Sequence, residues 1–209
     1  MRLYWSSTSP FVRKVTVSAH ELGLSDKLET LPTRVAPNKP DRALLAYNPL
    51  GQLPTLVLDD ETVLYDSLVI IEYLDQMAGG AKLIPSSAER RIEALRQHSL
   101  CNGLLDLLVQ WRIESSKEAP QIALINAFNL KTGMIWAKLE AAVEGLSQKP
   151  FGLPSITLAI AAEYADFRFP RLGWREKNPA LSSWHRSMQS RPSLASSRFF
   201  DSANPMGHW

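Results

Sequence analysis

The chain has 209 residues, 45% of them hydrophobic and 21% charged, with a net charge of +2. This is the make-up of a globular protein of one large or two small domains, and it excludes a disordered tail, a collagen-like repeat and a coiled-coil rod. No apolar run nears the ~20 residues of a membrane helix, and residues 1–6 hold no stretch of signal-peptide length, so the expectation is a cytoplasmic protein with no membrane partner. The single cysteine, Cys101, excludes an internal disulfide, a CxxC redox pair and a cysteine zinc site. It stands in an apolar stretch, residues 100–108, and reads as core filler. The four histidines are scattered without metal-ligand spacing, so no metal is expected. Residues 1–80 hold 7 basic and 10 acidic side chains; residues 81–209 hold 16 and 11. Neither part has a basic cluster dense enough for nucleic acid. The change near residue 80 reads as a boundary.

The predicted elements of the first part alternate. Residues 2–5 form a short strand. Pro10 opens a helix whose apolar face is Val12, Val15, Ala19 and Leu22, at spacings of 3 and 4, and Gly23 ends it. Residues 28–31 give a second strand. Residues 33–50 are irregular and rich in Pro and Asn, with weak helical character over 41–47. Residues 55–58 and 62–65, joined by the acidic turn Asp59-Asp60-Glu61, form a hairpin. Ser67 starts a helix that turns Leu68, Ile71 and Leu74 inward and fades at Gly79-Gly80. The order β-α-β-(irregular)-β-β-α is that of a thioredoxin-like domain, with the first two strands parallel and joined by a right-handed crossover.

Beyond residue 85 no strand is predicted. Helices are expected over 87–111, 122–146, 155–169 and 178–189. Ile92, Leu95, Leu104 and Leu108 are the candidate buried face of the first, and the third is apolar enough to be a core helix. The domains are therefore 1–78, a linker 79–86, and an all-helical 87–209.

Three local features could carry chemistry. In Ser7-Thr8-Ser9-Pro10-Phe11, a serine N-cap precedes a proline at the first helical position. That is an ordinary helix start, yet a hydroxyl beside free N–H groups and the positive end of a helix dipole also stabilises an anion such as a thiolate. In Asn48-Pro49-Leu50-Gly51-Gln52-Leu53-Pro54-Thr55, a turn leads to a proline at a strand start. A cis Leu53-Pro54 bond would turn the Leu53 amide and carbonyl outward, to pair with a peptide-like ligand. In Tyr65-Asp66-Ser67-Leu68, Ser67 at a helix start can bind a carboxylate and Asp66 an ammonium group. A thiol site, a peptide site and an amino-acid site together suit a small cysteine-containing peptide.

With these motifs, the chain resembles the cytosolic glutathione S-transferase superfamily, and is most similar to bacterial members with a Thr-Ser-Pro-Phe-Val-Arg-Lys segment. Ser9 to Lys14, Asn48 to Pro54, Asp66-Ser67 and Ile71-Glu72-Tyr73-Leu74 match in order and spacing. So do Tyr164 with Asp166-Phe167-Arg168, Asn178-Pro179-Ala180-Leu181, Trp184 and Arg191-Pro192-Ser193. The resemblance implies glutathione as co-substrate on the first domain, with a cis Pro54. Gln52, Leu53 and Pro54 would belong to the glutathione site, with Leu53 bonding its cysteinyl backbone, and Asp66 and Ser67 would hold its γ-glutamyl end. Ser9 stands where related classes place the Ser or Cys facing the sulfur, with Thr8 and Ser7 as alternatives. A small hydrophobic electrophile would sit between the domains, near Phe11, Leu104, Leu108 and Trp111, and the family habit is a homodimer. One departure stands out. The family's core helix opens Ser/Thr-x-x-Asp, whereas Ser155-Ile156-Thr157-Leu158 has leucine where the capping carboxylate is expected.

Three functions compete on this reading. A transferase uses the glutathione thiolate as nucleophile. A thiol-disulfide reductase needs a protein thiolate, and Ser9 is not Cys. A non-catalytic binding protein of the same fold is the third.

Overall fold

The computed structural model describes residues 1–36 and 38–201. The chain divides into two compact units: Met1–Ser86 with the segment that begins at Pro192, and Ser87–Arg191.

In the first unit the elements run β1 (Arg2–Trp5), α1 (Pro10–Glu21), β2 (Glu29–Pro32), α2 (Arg42–Leu45), β3 (Thr55–Val57), β4 (Val63–Leu64) and α3 (Ser67–Met77). They form a four-stranded sheet in the order β2-β1-β3-β4. β1 is parallel to β2 and antiparallel to β3, and β3 is antiparallel to β4. This is the expected crossover followed by a hairpin. β2 lies one residue later than the pattern suggested, and β4 is shorter. The four positions named on the α1 face are all buried, and they pack against α3, where Ile70, Ile71 and Leu74 have no exposed surface. Each such side chain contributes about 1.5–3 kcal/mol by leaving water. Gly23 follows the cap with φ +70°, as the end of α1 required. The weak helical stretch survives only as α2, its first turn fixed by Asp41 Oδ1 accepting from the Ala43 and Leu44 amides.

The expected linker is instead part of this unit. The buried carboxylate of Asp75, on α3, accepts hydrogen bonds from the amides of Lys82, Leu83 and Ile84 at 3.0–3.2 Å. Leu83 and Ile84 are buried with it.

The second unit is helical: α4 (Ala88–Ser115), α5 (Ile122–Ser147), α6 (Leu153–Arg168), α7 (Trp174–Lys177) and α8 (Pro179–Met188). No strand occurs among its described residues. α6 is buried without a break from Leu153 to Ala162, and α4 packs along it. The buried stripe of α4 is Ala94, His98, Cys101, Leu104, Leu105 and Leu108. Ile92 is 67% exposed, which corrects its place on the buried face: two residues from Ala94 is about 200° around a helix. Cys101 is core filler, as expected.

Two further corrections concern helix ends. α6 opens at Leu153 with Gly152 as its N-cap, so Leu158 is the sixth residue and not the third. Its side chain lies in the core, and the missing carboxylate of a capping box leaves no gap there. The helical domain expected over 87–209 also ends early. Past Arg191, a short α9 (Pro192–Ala195) packs on α1. Arg13, on α1, donates to the Leu194 carbonyl at 3.1 Å and stacks over the Phe199 ring at 4.5 Å, while Ser193 Oγ donates to Glu21. α7 and α9, four residues each, are too short for periodicity to reveal.

Candidate functional site

The sheet brings the three sequence features to one end. β1 runs toward the loop of Ser7, Thr8 and Ser9. Tyr4 of β1 pairs with Thr55 of β3, so Leu53 and Pro54, just ahead of β3, lie at that same end. Leu64 of β4 pairs with Leu56, so the chain leaving β4 through Tyr65 and Asp66 emerges there too. α1 and α3 follow directly, and both begin at this end of the sheet. The positive ends of two helix dipoles, each equivalent to about half a charge, therefore belong to one locus.

Ser9 is the N-cap of α1, with extended backbone, and its Oγ accepts from the Val12 amide at 3.3 Å. Pro10 holds the first helical position, as predicted. The hydroxyl oxygen is used as an acceptor, so its proton is available to a ligand. Ser9 is half-buried. Ser7 is buried, and Thr8 Oγ1 lies 3.2 Å from Ser6 Oγ. Ser6 was not singled out in the sequence; only this contact reveals it.

The Leu53-Pro54 peptide bond is cis. Its loop is held from within. Asn48, with no exposed surface, donates through Nδ2 to the Gln52 carbonyl at 3.2 Å and to Thr55 Oγ1 at 2.9 Å, and accepts from the Leu50 amide at 3.0 Å. Gly51 has φ +60°, and a Cβ there would meet Leu45 Cδ2 at 3.3 Å, so glycine suits both the angle and the space. Gln52 thus contributes its carbonyl to the loop's own bonding. The Leu53 amide and carbonyl have no backbone partner among the described residues, which leaves them open to a peptide.

Asp66 is the N-cap of α3, and its Oδ1 accepts from the Leu68 amide at 3.0 Å. The Tyr65-Asp66 bond is also cis. Ser67, expected at the helix start, is the first residue of the helix and is buried. Asp66 itself is exposed, with a second carboxylate oxygen for a cation.

The residues named for an electrophile pocket fare unevenly. Leu104 and Leu108 are fully buried and offer no surface to a ligand; they serve packing. Phe11 and Trp111 are half-buried. The Lys14 ammonium lies 5.5 Å from the centre of the Phe11 ring, and Trp111 tilts against Phe169 at 5.0 Å. Burial raises the phenols of Tyr4, on β1, and Tyr164, on α6, above the ordinary tyrosine value, so neither is a ready base at neutral pH. No group of His, Cys, Asp and Glu suited to a metal occurs among the described residues.

The chain is similar to known proteins. Residues 8–77 match the family model of the glutathione S-transferase N-terminal domain. The chain is 28% identical to the uncharacterized GST-like protein YibF of Escherichia coli K12, over 93% of this chain and 96% of that protein. It is also 28% identical to the glutathione S-transferase GstB of the same strain, over 92% and 94%. Among solved structures, a glutathione transferase family member from Pseudomonas fluorescens Pf-5, with bound glutathione, superposes with a TM-score of 0.92 at 36% identity, covering 96% of this chain and 99% of that one. On this 36% identity over 96% of its length, the chain belongs to the glutathione transferase family.

Proposed function

We propose that the protein is an active glutathione transferase, which ionises the glutathione thiol and directs it at a small hydrophobic electrophile. The observation that carries this reading is the convergence of Ser9, Leu53 and Asp66 at one end of the sheet, where α1 and α3 both begin. Leu53 holds the cysteinyl backbone of glutathione as a neighbouring strand would, beside Gln52 and the cis Pro54. The free oxygen of Asp66 takes the γ-glutamyl ammonium, and the first turn of α3 at Ser67 takes its carboxylate. The sulfur then lies against Ser9. While its oxygen accepts from Val12, the Ser9 O–H donates to the thiolate, and the α1 dipole adds about 0.3–1 kcal/mol in the same sense. The thiol loses its proton to solvent, and the thiolate attacks the electrophilic carbon, so that with an aromatic chloride the C–S bond forms as the C–Cl bond breaks and chloride leaves with its electron pair.

Thr8 and Ser7 are weaker candidates for this contact, because Thr8 is engaged with Ser6 and Ser7 is buried. A reductase mechanism lacks its thiolate, since the one cysteine, Cys101, is buried in α4. The reading carries with it a homodimer in the cytoplasm. The Pseudomonas relative was also solved with S-(propanoic acid)-glutathione, a thioether of the kind a conjugation produces.

The test is retention on immobilised glutathione together with glutathione-dependent consumption of an aromatic chloride, followed by absorbance. Retention with turnover is the expected result. Retention without turnover on a panel of electrophiles would leave only a binding protein, and turnover of a glutathione mixed disulfide in its place would make it a reductase.

A further inference from the structure

In the helical unit, the last turn of α4 meets the last turn of α6. Trp111 and Phe169, both half-buried, tilt against each other with ring centres 5.0 Å apart. Arg112 follows Trp111 on α4, and Arg168 precedes Phe169 at the end of α6. Both guanidinium groups act on one phenol, that of Tyr164: burial raises its pKa, and the two cations pull the other way. Aromatic surface and positive charge thus share one corner of this unit.

The carboxylates close by in sequence are committed elsewhere. Glu114, buried two residues beyond Arg112, accepts from Lys117 Nζ and from the Gln121 amide. Asp166 accepts from Arg175 Nε at 3.2 Å and from Trp174 Nε1 at 2.8 Å. Glu163 Oε1 faces His185, 3.4 Å from its Nε2. Arg112 is half-buried and forms no ion pair among the described residues. Its position in the last turn of α4 suits the helix dipole, but a fully exposed cation would serve the dipole as well. A guanidinium drawn partly out of water without a counter-charge carries some of the cost of a buried ion, and a bound anion would offset it. The guanidinium fork matches a carboxylate with two parallel bonds, which a neutral group of the same shape cannot accept as strongly.

We propose that Arg112, with the Trp111–Phe169 pair, forms a site for an aromatic carboxylate, and that the electrophile belongs to this class; this rests on the transferase reading and narrows its small hydrophobic electrophile. The ring lies against Trp111 and Phe169, and the carboxylate takes no part in the chemistry. With 4-chloro-3-nitrobenzoate, the glutathione sulfur bonds the ring carbon that carries chlorine, and chloride leaves with the C–Cl electron pair.

The experiment gives the full chain glutathione and either 4-chloro-3-nitrobenzoate or the uncharged 4-chloro-3-nitrobenzamide, at matched ionic strength. Each kcat/KM is divided by the uncatalysed rate, which removes the difference in ring reactivity. The benzoate should be favoured at least tenfold. Arg112→Gln should remove that preference through KM and leave the benzamide close to wild type, and Arg112→Lys should restore part of it. In parallel, 4-methyl-3-nitrobenzoate, which has no leaving group, is titrated by calorimetry. It should bind the wild type saturably and Arg112→Gln at least tenfold more weakly. No preference for the benzoate, an equal loss of both substrates in Arg112→Gln, or equal binding of the methyl compound by wild type and variant would each overturn the proposal. Turnover of neither chloride, with binding of the methyl compound still dependent on Arg112, would overturn the transferase reading and leave the aromatic-carboxylate site standing.

Discussion

Asn48 Nδ2 donates to Thr55 Oγ1 at 2.9 Å, and this bond ties the start of the turn that holds Leu53 to the strand that follows it. Thr55 Oγ1 in turn donates to the Gln52 carbonyl at 2.9 Å, one residue before Leu53. Both side chains are fully buried, so the turn is positioned by a closed polar network with no help from water. Thr55→Val keeps the shape and removes both bonds, leaving the Asn48 amide short of an acceptor. We expect a loss of about 1–3 kcal/mol in stability, read by urea unfolding. We also expect a weaker glutathione Kd with kcat at saturation near wild type, and Thr55→Ser should restore both. An unchanged Kd would mean that Leu53 is held by other contacts.

Ser9 has two duties, and Ser9→Ala should expose both. As a cap it accepts from Val12, so its loss should lower stability by about 0.5–2 kcal/mol. As a donor to the thiolate, a hydrogen bond to a charged group is worth roughly 1.5–3 kcal/mol, or about one to two pKa units of the bound thiol at 1.36 kcal/mol each. The bond favours the ionised form, so removing it raises the thiol pKa. Turnover should fall most at neutral pH and recover as pH rises, with glutathione affinity nearly intact. A pH–rate profile checks this; equal rates at neutral pH would move the role to Thr8 or Ser7.

Asp66 offers a cleaner separation of cap from ligand contact. Asp66→Asn retains an oxygen for the Leu68 amide, so Tm should stay close to wild type. It removes the charge proposed to face the glutathione ammonium. Affinity for glutathione should drop by about 1.5–3 kcal/mol, measured by calorimetry, while S-methylglutathione, with the same γ-glutamyl end, should lose as much.

Leu158→Asp should not repair a cap. The side chain has no exposed surface, six residues into α6. The substitution removes a buried leucine, worth about 2–5 kcal/mol when truncated, and adds a carboxylate to an apolar site. We expect a Tm lower by many degrees, or an insoluble chain. A Tm at or above wild type would show that the capping argument is right after all.

Much of this was legible from sequence because it is local. The α1 face is a matter of period, its start follows from a Ser-Pro pair, and the Asn-Pro…Gly turn before β3 follows from residues with few backbone choices. Local patterns also singled out Ser9, Leu53 and Asp66, which the sheet brings to one end. Only the tertiary structure decided which of two adjacent residues, Asp66 or Ser67, caps α3, because both can and the choice depends on where β4 releases the chain. Burial at single positions was likewise out of reach. Ile92 and Leu158 are equally apolar in sequence, but one lies on the open side of α4 and the other at the centre of α6, and only the packing of helices distinguishes them. The segment after Pro192 joined the first unit for a reason far away in the chain: Arg13, on α1, needed the Leu194 carbonyl, and no local pattern contains a bond between residues 181 positions apart.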